Sequence, residues 1–131
     1  MDVPEPTIVA GVQDLYARYA HTIDRRDFAA FAELFAEDAR FALADNECEG
    51  RDNIRDFMIG VMKAPGGTHI ITNVSVRAAD GGRHTVVADY LLTRRPEPDA
   101  PYGIVGVGVY ESVVARDDGQ WRFAEHRIMP R

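Results

Sequence analysis

Residues 102–116, Tyr-Gly-Ile-Val-Gly-Val-Gly-Val-Tyr-Glu-Ser-Val-Val-Ala-Arg, form the stretch that says most about the fold. Successive side chains of a β-strand point to opposite faces. One face therefore carries Val105, Val107 and Val109, and the other carries Ile104, Gly106, Gly108 and Tyr110. Both faces are apolar or bare, which predicts a strand that is covered on both sides. We assign the glycine-bearing face to a hollow beneath helices, because missing side chains let a sheet curve and leave room for a ligand.

Three more strands are predicted around this one, over residues 68–77, 84–95 and 120–129. Asp80-Gly81-Gly82 and Asp117-Asp118-Gly119 are typical of hairpin turns between them. Residues 96–101 contain three prolines and predict a longer, stiff connection that overhangs the mouth of a pocket. The second half of the chain is therefore expected to be a run of consecutive hairpins.

The first half predicts three helices. The first begins at Thr7, and its apolar residues recur at three- and four-residue steps: Ile8, Val12, Leu15, Tyr19 and Ile23. The second begins at Asp27 and continues through Phe35, followed by a short strand over residues 40–43. The third follows Gly50, with Asp52 as its cap. Helices followed by hairpins predict an α+β fold rather than an alternating parallel one.

Length and composition restrict the class of protein. The 131 residues fit a single domain over residues 1–131, with residues 1–6 expected to be flexible. A net charge of −6 argues against nucleic acid or an anionic membrane surface as a partner, because phosphates need clustered cations. One cysteine, Cys48, cannot form an internal disulfide, so we expect a cytoplasmic protein.

Asp24 and His69 are the first candidates for chemistry. Asp24 ends the first helix, and His69 opens the first long strand. Spacing alone favours non-catalytic interpretations of both residues. Asp24 would be a solvated carboxylate, and His69 would be a buried imidazole that bonds to the backbone. Tyr19 lies on the apolar stripe, where packing is the simplest explanation.

Seven further residues are candidates to line a pocket and bind a substrate: Asn73, Tyr110, Gly108, Phe57, Trp121, Glu125 and Arg127. Strand alternation groups Asn73 with His69, and it places Glu125 inward with Trp121. An exposed ion pair between Glu125 and Arg127 is the favoured alternative. The chain has no zinc-ligand spacing, phosphate-binding lysine loop or dinucleotide fingerprint, so we expect neither a metal nor another cofactor.

The order of these motifs resembles the SnoaL-like branch of the NTF2-like superfamily, over roughly residues 8–129. The motifs that carry the resemblance are Tyr19-x4-Asp24-x2-Asp27, Leu34-Phe35 with Asp38, Gly50-Arg51-x2-Ile54 with Phe57, Thr68-His69-x3-Asn73-Val74 and Asp118-Gly119-x-Trp121-x-Phe123. The resemblance implies a cone-shaped α+β barrel. In such a barrel, three N-terminal helices pack on a curved, mixed but mostly antiparallel sheet.

The resemblance also implies an activity. The branch contains scytalone dehydratase, the bile-acid dehydratases and hexachlorocyclohexane dehydrochlorinase, which are similar in placing an Asp–His pair where Asp24 and His69 fall. It therefore implies a cofactor-independent lyase for a small, largely apolar molecule, with His69 as base, Asp24 as its orienting partner and Tyr19 as a donor. An isomerase, a cyclase and a non-catalytic binding or assembly module remain alternatives. Similar folds often form homodimers through the outer sheet face, here the valine face.

Overall fold

The computed structural model describes residues 3–131. Residues 1 and 2, part of the segment expected to be flexible, lie outside the described residues. The helices are α1 (Pro6–Asp24), α2 (Phe28–Ala32) and α3 (Arg51–Val61). The strands are β1 (Phe35–Leu43), β2 (Asn46–Glu49), β3 (Gly67–Ala78), β4 (His84–Arg94), β5 (Gly103–Asp117) and β6 (Gln120–Pro130). No helix within the described part of the chain is both long and apolar enough to cross a lipid bilayer.

The six strands form one sheet in the order β2-β1-β6-β5-β4-β3. Strands β1 and β6 pair in parallel, and every other neighbouring pair is antiparallel. The hairpin between β5 and β6 turns at Asp118 and Gly119, which have φ angles of 52° and 76°. Two successive positive φ angles suit the right-handed twist of the paired strands, and Asp-Gly adopts them readily. The predicted α+β architecture, with a mixed and mostly antiparallel sheet, is confirmed.

The helices cover one face of the sheet, and α1 packs on β3 and β6. Aromatic rings fill the space beneath them: Tyr16, Tyr19, Phe31, Phe35, Tyr110 and Phe123 are all fully buried. The centroids of neighbouring rings lie between 5 and 7 Å apart, and most of these pairs meet at the tilted or edge-on angles that suit aromatic rings. Gly108 and Tyr110 of β5 point into this core, as the sequence predicts. Ile104, predicted on the same face, is 64% exposed, because an extra residue at Val105 reverses the alternation before Gly106.

The segment after α1 differs from the prediction. Asp27 caps α2 by accepting a hydrogen bond from the Ala30 N–H at 3.1 Å, but the helix ends at Ala32. Phe35 already belongs to β1, opposite Phe123 of β6, and the Phe123 N–H donates to the Leu34 carbonyl at 2.9 Å. Sheet pairing has therefore replaced the last predicted helical turn. The edge strand β2 was not predicted, because its sequence is polar and short.

Candidate functional site

The last residue of α1 and the start of β3 meet at an Asp–His pair. The Nδ1 atom of His69 lies 2.6 Å from Oδ1 of Asp24. The backbone N–H of His69 donates to the same carboxylate, at 3.0 Å from Oδ2 and 3.2 Å from Oδ1. Because an ionised carboxylate only accepts hydrogen bonds, the contact places a proton on Nδ1. In the neutral ring, Nε2 then keeps its lone pair.

The location of Asp24 on α1 explains how it becomes partly enclosed. At roughly 100° per residue, Asp24 shares a flank of the helix with Gln13, Ala17 and Ala20, beside the apolar stripe. This flank faces β3, so the side chain of Asp24 is only 18% exposed and that of His69 only 8%. The solvated carboxylate favoured by the sequence pattern is wrong, because a strand covers the polar edge of the helix.

A groove with a volume of about 420 Å³ runs along the seam between α1 and β3. Its lining comprises Gln13, Tyr16, Ala17, Ala20, His21, His69, Ile71, Thr72, Asn73 and Val74. Ala17 and Ala20 have small side chains on the helix side, and His69 borders the space on the strand side. The groove therefore lies beside the residue that Asp24 holds.

Tyr19 does not line this groove. Its ring lies in the aromatic core, with its centroid 4.8 Å from that of His126 and 5.2 Å from that of Phe31. Burial raises the pKa of Tyr19 well above its ordinary value, and a hydrogen bond with Tyr110 opposes part of the rise. The structure thus brings Asp24 and His69 together but keeps the tyrosine expected beside them inside the core.

The core contains a polar chain that the sequence analysis missed. The Tyr16 hydroxyl donates to the Ser112 hydroxyl at 2.7 Å, and the Ser112 oxygen lies 2.8 Å from Nδ1 of His126. Nε2 of His126 is buried without a hydrogen-bond partner. Burial lowers the pKa of His126 to about 3, so the ring is neutral near pH 7. One sequence feature could have indicated this chain: Tyr16 follows Val12 by four residues on the apolar stripe of α1, so its hydroxyl had to find a partner in the core.

Two strand bulges move several candidate residues. Asn73 has a φ of 55° in a bulge of β3, and its amide donates to Asp89 at 2.7 Å. Asn73 borders the groove, but the alternation that grouped its side chain with His69 is wrong, because Val74 and Val76 pack inward beyond the bulge.

The second bulge is at Ala124, which the pairing of β6 with β5 skips. One extra residue reverses the alternation, so His126 enters the core while Glu125 and Arg127 lie on the outer face. The prediction that Glu125 faces inward with Trp121 is therefore wrong. Arg127 pairs across the sheet with Glu111 rather than lining the interior.

The remaining candidates lie away from this groove. Tyr110 stacks on Tyr90, with centroids 4.6 Å apart, and Gly108 leaves the room that the Tyr90 ring occupies. Phe57 packs edge-on against Phe41. Trp121 lies against Gly11, which is about 20 Å along the α1 axis from Asp24 at 1.5 Å per residue. None of these four residues borders the groove.

The outer face of the sheet has a shallow concavity of about 700 Å³. Its charged lining residues are Arg40, Glu47, Glu49, Glu111, Glu125 and Arg127. Arg40 lies opposite Glu49 on one side and Glu125 on the other. Among residues 3–131, no three His, Cys, Asp or Glu side chains come together as a metal ion would require.

Solved structures share this architecture. A Mycobacterium tuberculosis protein of unknown function is 28% identical with a TM-score of 0.85, over 95% of this chain and 72% of that one. Two Novosphingobium aromaticivorans proteins are each 22% identical. One, provisionally assigned as a scytalone dehydratase, has a TM-score of 0.83 over 95% of this chain and 85% of its own. The other, an NTF2-like protein with a cystatin-like fold, has a TM-score of 0.78 over 91% and 79%.

The fold thus defines an NTF2-like α+β cone, with a candidate site between its first helix and an edge strand. Residues 7–127 match the SnoaL-like domain, and the chain belongs to that family. Comparison with curated proteins gives no significant match. The resemblance to the SnoaL-like branch is confirmed.

Proposed function

We propose that this chain is a cofactor-independent lyase that removes water from a small, largely apolar carbonyl compound, with His69 as the general base. One observation carries the proposal: Asp24 Oδ1 lies 2.6 Å from His69 Nδ1, beside a groove that His69 borders. The groove volume of about 420 Å³ falls within the range of small-molecule sites.

The chemistry follows from the hydrogen bond. A carboxylate that accepts from Nδ1–H leaves Nε2 free to take a proton, and it stabilises the imidazolium that results. A carbon next to a carbonyl carries the kind of proton that such a base removes. The partial enclosure of the pair strengthens the contact relative to an exposed one. Tyr19 has no part in the proposal, because its hydroxyl lies in the core away from the groove.

Membership in the SnoaL-like family supports this class of reaction, and the provisional assignment of one similar structure as a scytalone dehydratase agrees with it. An isomerase or a cyclase would use the same base and return the proton elsewhere. The product mass separates these cases, because only dehydration lowers it by one water.

The test uses a panel of β-hydroxy ketones, including the aldol of benzaldehyde and acetone, whose dehydration gives an enone with strong ultraviolet absorption. In D2O, the wild type is expected to exchange the proton next to the carbonyl and to form the enone. His69→Gln should lower both rates by at least about 100-fold, the scale of general base catalysis.

Arg18→Gln is the matched control, since Arg18 is exposed on α1 and pairs with Asp14 away from the groove. Equal exchange by wild type and His69→Gln would overturn the assignment of the base. Absence of exchange by the wild type across the panel would contradict the proposed reaction.

A non-catalytic binding or assembly module is the second candidate, favoured by the aromatic rings that fill the interior of the cone. In that case, the wild type would catalyse neither exchange nor dehydration. Whichever function holds, we also propose a homodimer through the outer face of the sheet, where Val105 is 57% and Val107 37% exposed. Soluble monomers rarely leave such an apolar patch in water.

A further inference from the structure

We propose that His21 is the general acid that protonates the departing hydroxyl in this site, opposite the base His69. The inference rests on the proposed function and adds a second catalytic residue to it. It also narrows the substrate class to β-hydroxy carbonyl compounds.

His21 lies close to the Asp–His pair along the helix. Residues three apart on a helix are surface neighbours, with Cβ atoms about 5–6 Å apart, so His21 is adjacent to Asp24. His21 lines the same groove as His69, and it is exposed to solvent at the rim. His21 and His69 therefore line one groove, His69 bonded to Asp24 across the seam and His21 one helical turn before Asp24 on α1.

Among the groove-lining residues that the structure describes, His21 is the one that can supply the proton that dehydration requires. Hydroxide is a poor leaving group, so dehydration depends on a proton delivered to the departing oxygen. Tyr19 is in the core, and burial raises its pKa. The Tyr16 hydroxyl already donates to Ser112, and burial raises its pKa as well. Among the described residues that line the groove, His21 is the remaining side chain of a type that exchanges protons near neutral pH.

The reaction balances without a further reactant. His69 Nε2 takes the proton from the carbon next to the carbonyl, and the electron pair of that C–H bond forms the C=C bond. The C–O bond at the next carbon breaks, and the oxygen leaves as water with the proton from His21. His69 then returns its proton to solvent, and His21, at the exposed rim, regains one from solvent. The products are an unsaturated carbonyl compound and one water.

The geometry also orients the substrate. The acidic C–H must face His69, and the hydroxyl must face His21 at the rim. Because the two groups are on adjacent carbons, the bond between these carbons must lie along the seam. Ala17 and Ala20 leave the helix side of the groove without bulky side chains. A β-hydroxy ketone or thioester satisfies this arrangement, because its carbonyl acidifies one carbon and its hydroxyl leaves from the next.

The experiment separates proton removal from loss of water. With the benzaldehyde–acetone aldol in D2O, deuterium exchange next to the carbonyl requires only the base, whereas enone formation requires base and acid. We expect His21→Gln to lower enone formation at least about 100-fold while exchange stays within about threefold of wild type. His69→Gln should lower both rates, and Arg18→Gln should lower neither.

Enone formation by His21→Gln at the wild-type rate would overturn the inference and leave the base intact. An equal loss of exchange and enone formation in His21→Gln would also overturn it, because His21 would then act in binding or positioning. A wild type without exchange would instead contradict the proposed function, and the inference would fail with it.

Discussion

Asp24 forms three hydrogen-bond contacts with one residue of β3, two with the backbone N–H of His69 and one with its ring. The backbone contacts fix where β3 passes the end of α1, and the ring contact fixes the orientation of the imidazole. A single carboxylate therefore serves both packing and the proposed chemistry. Spacing along the sequence gave no sign of this, because 45 residues separate the two partners.

The burial of His126 should make the stability of the protein depend on pH. Its folded pKa is about 3, below the ordinary value of 6.5, because burial disfavours the charged ring. Between those values, the unfolded chain binds a proton that the native state does not, so the free energy of unfolding falls as the pH falls. The slope from this one group is up to about 1.4 kcal/mol per pH unit.

We expect His126→Gln to remove this slope between pH 6.5 and about 4.5, whatever its effect on stability at neutral pH. Urea unfolding of both proteins across that range measures the difference. His21→Gln is the control, because His21 is exposed. A His126→Gln variant with the same pH slope as the wild type would show that burial does not lower the pKa of His126.

At the scale of the elements, the four long strands were predicted to within one residue at each end. Alternation and turn residues define such strands locally, since Gly and Asp mark where each strand must reverse. The predicted apolar stripe of α1 was also correct, but the helical period could not show that β3 covers the flank that carries Asp24. Burial of a polar edge depends on tertiary contacts that the helical period does not contain.

The bulges set the limit of prediction for the candidate site. One extra residue at Ala124 moves His126 into the core and Glu125 to the outside, and the composition of β6 does not indicate where that residue lies. The bulge at Asn73 acts in the same way on β3. Asp24 and His69 both precede the bulges in the chain, so the bulges do not change their positions. Their pairing could therefore be inferred from family resemblance.

Gly108 gives a prediction for the packing of β5. A Cβ at Gly108 would lie 2.5 Å from the Met129 carbonyl oxygen and 2.6 Å from the Tyr90 ring, and the first of these is backbone. Gly108→Ala should therefore lower the free energy of unfolding by roughly 1–3 kcal/mol through overpacking. Urea denaturation measures this change.

Gly106→Ala is the matched control on the same strand, since its Cβ would meet only Leu92 at an ordinary 3.5 Å. We expect its stability to differ little from wild type. If both alanine variants were equally stable, the tight approach of Tyr90 and β6 to Gly108 would be incorrect.

The whole molecule presents an outer sheet face that combines exposed valines with paired charges of both signs. In a homodimer through this face, light scattering should give about twice the 14.6 kDa chain mass. Val107→Arg should shift the protein to monomer, because the dimer would bury an unpaired charge. Ile59→Arg, an equally drastic change on exposed α3, should leave the dimer intact.

A wild type that stays monomeric at high micromolar concentration would contradict the homodimer. Loss of the dimer in Ile59→Arg but not in Val107→Arg would place the contact on the helices rather than on the sheet.

The central claim is that Asp24 holds His69 in the tautomer that leaves Nε2 free to act as a base. Nitrogen NMR of the His69 ring, recorded at a pH at which the ring is neutral, tests it without a substrate. We expect a proton on Nδ1 and none on Nε2 in the wild type, with a shift toward the Nε2–H tautomer in Asp24→Ala. A wild-type ring that carries its proton on Nε2, or one that Asp24→Ala leaves unchanged, would contradict the account.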